Sequence, residues 1–139
     1  MPRASASREL LAPNEDVWKF IAEPHHFADW WPEVAGVRPD RRGFAEGARW
    51  EVQGADRPTL FRRAKSGGLL LVRAIEPRRR FAWTLTASRI DAELRLDSRG
   101  ERTMATLDVS APWLLGFSRA LPRRALTRLH ALCQTAADF

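Results

Sequence analysis

The sequence predicts an α+β fold. A curved antiparallel sheet wraps around one long C-terminal helix, with two short helices after the first strand. Three observations predict it. Residues 90–97 and 104–111 alternate apolar and polar side chains, as strands with one buried and one wet face do. From Leu121 onward the apolar residues recur at helical spacing instead. Ahead of the sheet, residues 14–22 and 25–30 form two short segments bounded by Pro13, Pro24 and Pro32.

Taken in order, residues 3–11 (RASASRELL) give a weak first strand. Pro13 opens a helix over 14–22, with Glu15 and Asp16 in the first turn, where they favour the helix dipole. Val17, Trp18 and Ile21 form its apolar face, and Glu23-Pro24 ends it. A second helix covers 25–30. Val34, Gly36 and RPDRRG then read as a short strand running into a loop. In GARWEVQ (47–53), Trp50 and Val52 face one way. Residues 54–58 read as a turn or loop, 59–65 as a strand, and Ser66-Gly67-Gly68 as a turn. Residues 69–76 make a strand whose inward parity stays open: Leu69, Leu71, Arg73 and Ile75, or Leu70, Val72, Ala74 and Glu76. In 81–86, Phe81, Trp83 and Leu85 share a face. SRGER turns the chain between the two alternating strands. Leu121, Ala125, Leu126, Leu129, Leu132, Cys133 and Ala136 stripe the last helix, which Pro122 begins after a shorter segment, 113–120.

At 139 residues the chain fits one domain spanning 1–139, and 45% hydrophobic with 29% charged residues is ordinary for a folded protein. There is no run of 18 apolar residues for a membrane span, so no stable membrane insertion is expected. The first residues lack the apolar segment of a secretory signal, and Cys133 has no partner for a disulfide. Together these give a cytoplasmic expectation. The net charge is +6, and arginine supplies all but two of the 23 basic residues, the exceptions being Lys19 and Lys65. Arg41-Arg42, Arg62-Arg63, Arg78-Arg79-Arg80 and Arg123-Arg124 are scattered, with acidic residues between them. That pattern predicts solvated surface and not a nucleic-acid or anionic-membrane face.

Four stretches resemble the START-like superfamily, also called the polyketide cyclase/dehydrase or Bet v 1-like family. They are APNEDVWKFIAEPHHFADWWPEV (12–34), FAEGARWEV (44–52), LVRAIEPRRRFAWTLTA (71–87), and the closing helix after APWLLG (111–116). The resemblance implies a helix-grip fold with a deep apolar cavity between sheet and C-terminal helix. It also implies use on hydrophobic small molecules such as lipids or polyketides. It supplies no catalytic motif to carry over.

The candidate residues follow from chemistry and from that fold. His25 and His26 point about 100° apart on a helix, and only His130 and Cys133 offer further N/S donors. No metal site is expected, and no cofactor, since neither a phosphate loop nor a dinucleotide fingerprint is present. No serine, cysteine or histidine constellation marks a nucleophile, and there is no tyrosine. The ligand-binding candidates are aromatic. Phe27, Trp30 and Trp31 lie at the cavity end; on a short helix one tryptophan faces inward and the other toward the rim, so that either both are core or one lines the cavity mouth. Trp50, Phe81 and Trp83 lie on the concave sheet face, and Trp113 and Phe117 before the last helix. Arg73 is the polar candidate, able to hold a carboxylate or an enolate oxygen if its parity faces inward. Arg63 and Arg89 are weaker ones of the same kind. The expected function is binding of a hydrophobic small molecule, oriented by Arg73 or an indole N–H. One rival is a polyketide aromatase/cyclase, which requires at least two converging ionisable or hydroxyl groups inside. Another is an interaction module with a filled core and a clustered arginine face. Oligomeric state and ligand identity are left open.

Overall fold

The computed structural model describes residues 3–32, 34–54, 66–112 and 119–137. The elements run β1 (Arg3–Leu10), α1 (Asn14–Ala22), a 3-10 turn (Pro24–His26), α2 (Phe27–Trp30), β2 (Val34–Pro39), β3 (Arg49–Gly54), β4 (Ser66–Glu76), β5 (Arg80–Leu85), β6 (Ile90–Arg99), β7 (Arg102–Ser110) and α3 (Leu121–Ala137). All seven strands form one antiparallel sheet in the order β1-β7-β6-β5-β4-β3-β2. The curved sheet with its long closing helix is the helix-grip architecture the sequence predicts.

This order explains the two short helices. β1 and β2 are the outermost strands at opposite edges. With strands about 4.8 Å apart, the chain between them must cross nearly 30 Å of sheet. It does so as α1, the 3-10 turn and α2, which cover one face as they pass. α1 begins at Pro13, whose carbonyl accepts from the N–H of Asp16 and Val17, and it buries Val17 and Ile21. Extended backbone at Glu23 stops it, and the Glu23 carboxylate accepts from the His25 N–H at 3.3 Å. The expected second helix is therefore a 3-10 turn followed by a single α turn.

α3 packs on β1, β7 and α2. Its buried stripe is Leu121, Ala125, Leu126, Leu129 and Cys133, with Leu132 partly buried, as the spacing predicts. On the strands, Ile90, Ala92, Leu94 and Leu96 and then Ala105, Leu107, Val109 and Ala111 all face the core. Thr103 is the one buried polar side chain among the described residues. Its hydroxyl lies 2.8 Å from the Ala12 carbonyl and 2.7 Å from Asn14 Oδ1, tying β7 to the start of α1.

Two expectations change. Ser66-Gly67-Gly68 is not a turn but the start of β4, with Ser66 paired to Gln53. The register shifts there, and Gly68 takes φ +74°, a conformation that glycine adopts without steric cost. The open parity of β4 has a structural cause as well. Val72 pairs with Trp83 and Ala74 with Ala82, so Arg73 is an extra residue in a β-bulge. Before the bulge Leu70 and Val72 face in; after it Ile75 does, opposite Phe81. The expected strand over 59–65 lies outside the described residues, as does nearly all of the segment 113–120.

A β-carbon on Gly68 would sit 2.8 Å from both the Ala87 β-carbon and Thr86 Oγ1. Gly68→Ala is expected to destabilise the protein by about 2 kcal/mol, from backbone strain alone or more with the clash. Urea denaturation gives the value.

Candidate functional site

The inner face of the sheet carries a continuous aromatic cluster. α2 delivers Phe27 and Trp30 a turn apart, β3 delivers Trp50, and β5 delivers Phe81 and Trp83 by strand alternation. Trp31 joins them. It lies four residues after Phe27, where its backbone leaves the helix at φ −91°, ψ 120°, and of the two readings of this pair, both tryptophans are buried. All six rings are buried.

Trp83 is the hub. It stacks on Phe81 at 4.5 Å between ring centroids. It also meets Trp31 at 5.3 Å, Phe27 at 5.7 Å and Trp30 at 5.8 Å, all edge to face. Phe27 meets Trp30 edge-on at 5.2 Å and stacks on Trp31 at 5.7 Å. Phe44 extends the cluster, 4.9 Å from Phe81 and 5.5 Å from Trp18. The sequence reading did not select Phe44: it sits in the β2–β3 connection, where no periodicity points a side chain.

The polar atoms of the cluster fall into two sets. The Trp50 indole N–H donates to the Gly43 carbonyl at 2.7 Å, which fastens β3 to its preceding loop. The indole N–H groups of Trp30 and Trp83 are fully buried and have no partner among the described residues. A buried donor left unsatisfied costs about 1–3 kcal/mol, so two neighbouring ones are a feature that needs an explanation.

Arg73 is placed elsewhere. The bulge puts it on the outer face of the sheet, exposed, where its Nη2 donates to the carbonyls of Trp83 and Ala92 at 3.2 Å each. It therefore cannot hold a carboxylate or enolate inside. It borders an outer depression of about 680 Å³ with Arg3, Arg95, Asp91, Glu93 and Asp108. There Arg95 pairs with Asp108 at 2.8 Å, and Arg80 with Glu93 at 2.6 Å. Of the weaker arginines, Arg89 is exposed in the β5–β6 turn at φ 54°, and Arg63 lies outside the described residues. Trp113 and Phe117 also lie outside them.

The remaining reactive groups stay apart from the cluster. His26 Nδ1 lies 3.0 Å from Asp29 Oδ2 on the protein surface, with Phe20 against its ring. Burial, with a smaller contribution from Asp16, pushes the Cys133 thiol up to about 11. A thiol held so far above neutrality is not a nucleophile. Among the described residues, no three His, Cys, Asp or Glu side chains come together to hold a metal ion. No described helix is long and apolar enough to cross a membrane.

The family described as polyketide cyclase / dehydrase and lipid transport matches residues 1–134. No curated protein matches the chain significantly. Among solved structures, the chain is similar to a START superfamily protein from Mycobacterium smegmatis, at TM-score 0.70 and 12% identity over 96% of this chain and 98% of that one. It is similar to CalU16 from Micromonospora echinospora at TM-score 0.68 and 19% identity, over 97% and 78% of the two chains. A third likeness is DynU16, described as a protein in the dynemicin biosynthetic locus, at TM-score 0.65 and 22% identity, over 96% and 48%. At such identities these likenesses concern the fold alone.

Trp50→Phe breaks a hydrogen bond and strands a carbonyl, whereas Trp83→Phe removes a donor that has no partner among the described residues. In thermal or urea denaturation Trp50→Phe is expected to cost more, by about 1–2 kcal/mol; equal costs would mean that the Trp83 N–H is satisfied in solution. Cys133 is expected to resist alkylation at neutral pH in the folded protein and to react on unfolding, as intact mass measurement would show.

Proposed function

We propose, from the premise that the chain belongs to the polyketide cyclase/dehydrase and lipid transport family, that it binds a neutral apolar small molecule carrying carbonyl groups. The molecule would sit among the inner-face aromatics. The observation that carries this reading is the pair of buried, unpartnered indole donors, Trp30 and Trp83. Each can give a hydrogen bond to a ketone or ester oxygen, and in a low-dielectric interior such a bond has no water to compete with. The apolar body of the ligand would supply most of the affinity, at about 25 cal/mol per Å² buried.

The ligand class fits both halves of the family's description. Polyketide intermediates and lipids share an apolar frame punctuated by carbonyl oxygens. Insertion would exchange ring–ring contacts for ring–ligand contacts. Edge-to-face aromatic pairs contribute about 0.5–1.5 kcal/mol each, which a flat or extended ligand can return. DynU16, a fold neighbour from a biosynthetic locus, is consistent with a biosynthetic setting.

Binding is favoured over turnover. A cyclase needs converging acid and base groups at the substrate. Within the described interior the only buried polar side chain is Thr103, already engaged with Ala12 and Asn14. Trp30 and Trp83 can orient a carbonyl but do not exchange protons near neutral pH.

Native mass spectrometry tests the reading with matched pairs, an aromatic ketone against its hydrocarbon analogue and a fatty ester against its alkane. Wild type is expected to favour the carbonyl member by about tenfold. Trp30→Phe and Trp83→Phe are expected to lose that preference while still binding the hydrocarbon. Equal binding of both members by wild type, or binding of neither, would sink the proposal.

A further inference from the structure

Trp83 is surrounded by rings on the inner face, where it meets Phe27, Trp30, Trp31 and Phe81. Within the sheet its ladder is interrupted. Val72 pairs with Trp83 and Ala74 with Ala82, so the β4–β5 register shifts at the hub itself. A bulge disrupts the ladder locally. The bulge residue reaches back across that interruption. Arg73 Nη2 donates to the carbonyl of Trp83 and to that of Ala92, the partner of Trp83 on β6, at 3.2 Å each. To get there the side chain crosses the outer side of β5, where Ala82 faces out by alternation and is still only 1% exposed. The bulge is itself anchored on the side away from β5. The Val72 N–H donates to the Ala48 carbonyl at 3.0 Å, and the Val72 carbonyl accepts from the Gly47 N–H at 2.9 Å. The Ile75 N–H donates to Glu46 Oε1 at 3.0 Å. One guanidinium thus ties β4, β5 and β6 together on the outer face behind the hub.

We propose that Arg73 is a positioning residue: from the outer face it holds the β5 backbone so that the buried Trp83 N–H stays available to a ligand oxygen. This rests on the ligand reading given under the proposed function and concerns how one of its two donors is kept in place. A buried donor without a partner is costly, and a backbone free to relax would carry it toward a carbonyl. Such a feature persists only where the surroundings over-determine the conformation. The ring contacts fix the indole from within but not the strand that carries it. Arg73 fixes the strand, where the bulge has interrupted the β4 ladder. Arginine suits the task, because Nη2 carries two N–H groups in a rigid plane and can serve both carbonyls. Its outer-face neighbours are used differently: Arg80 and Arg95 end on the carboxylates of Glu93 and Asp108. Trp30, the other unpartnered donor, is carried by α2 on the inner face, so Arg73 acts on the Trp83 donor alone.

Acetylnaphthalene and ethylnaphthalene, a matched ketone and hydrocarbon, test it by native mass spectrometry. The preference for the ketone is expected to fall about fivefold in Arg73→Gln, as misalignment of one neutral hydrogen bond allows. Arg73→Lys, which keeps N–H donors at this place, is expected to retain most of the preference. Arg95→Gln removes the same charge from the outer face and breaks an ion pair, and is expected to retain all of it. Indole N–H cross-peaks in the NMR spectrum of the unliganded protein give a second readout. In Arg73→Gln the Trp83 cross-peak, identified by its loss in Trp83→Phe, is expected to move. The Trp50 cross-peak is expected to stay, because that N–H is held by Gly43. A wild-type ketone preference that survives in Arg73→Gln overturns the proposal. So does a Trp50 cross-peak that moves as far as that of Trp83, which means general loosening, or an Arg95→Gln variant that loses as much preference. If wild type shows no preference for the ketone, the ligand reading fails by itself. An unmoved Trp83 cross-peak then overturns the positioning role as well, and a shifted one upholds it.

Discussion

The inner face of this protein depends on one indole. Trp83 lies in the middle of β5, between Val72 on one neighbouring strand and Ala92 on the other, and both neighbours are small enough to leave room above the sheet. Into that room come Phe27, Trp30 and Trp31 from the chain that crosses the sheet. α2 is a single turn of four residues, far too short to be helical on its own. Its conformation is imposed by burying its aromatic side chains on Trp83 and by the prolines at its two ends. The path from β1 to β2 is thus held by the same contacts that would form the walls of a ligand site. Loss of a ring of this size from such a core generally costs about 3–5 kcal/mol, so a substitution at a proposed ligand contact would also cost stability.

Legibility in the sequence followed from whether one physical rule governed a segment alone. In β6 and β7 every second residue is buried and the others are wet, and the alternation gave both strands and their inward residues directly. α3 was equally plain, because its apolar stripe runs unbroken from Leu121 to Cys133. β4 was opaque because the bulge at Arg73 joins two alternations of opposite phase. Either parity then looked half right, and the arginine that might have entered the interior is the residue the bulge expels. The pair Trp30 and Trp31 stayed open for a related reason: the backbone leaves the helix at Trp31, where the helical period no longer decides which way an indole points. Phe44 belongs to no periodic segment at all.

The arginines show the same limit at longer range. Each basic run could be counted in the sequence, and the acidic residues between the runs argued for dilution. Dilution along the chain is not dilution in space. On the sheet's outer face Glu76 and Glu93 meet Arg80, and Asp108 meets Arg95, because antiparallel neighbours bring those residues side by side. Arg8, on β1, meets Thr127 of α3, a convergence that only the fold creates.

Exclusion of charge from the described interior would also constrain the proposed ligand. A carboxylate or phosphate buried against Trp30 and Trp83 would have to leave water without a cation to meet it, a penalty of several kcal/mol that two neutral indole donors do not offset. With Arg73 on the outer face, the buried part of the described interior has no cation to offer. A ketone or ester oxygen asks only for the single hydrogen bond that each indole can give. The ligand that suits these residues is therefore uncharged where it meets them, and any ionised group it carries must remain outside the aromatic cluster, in solvent.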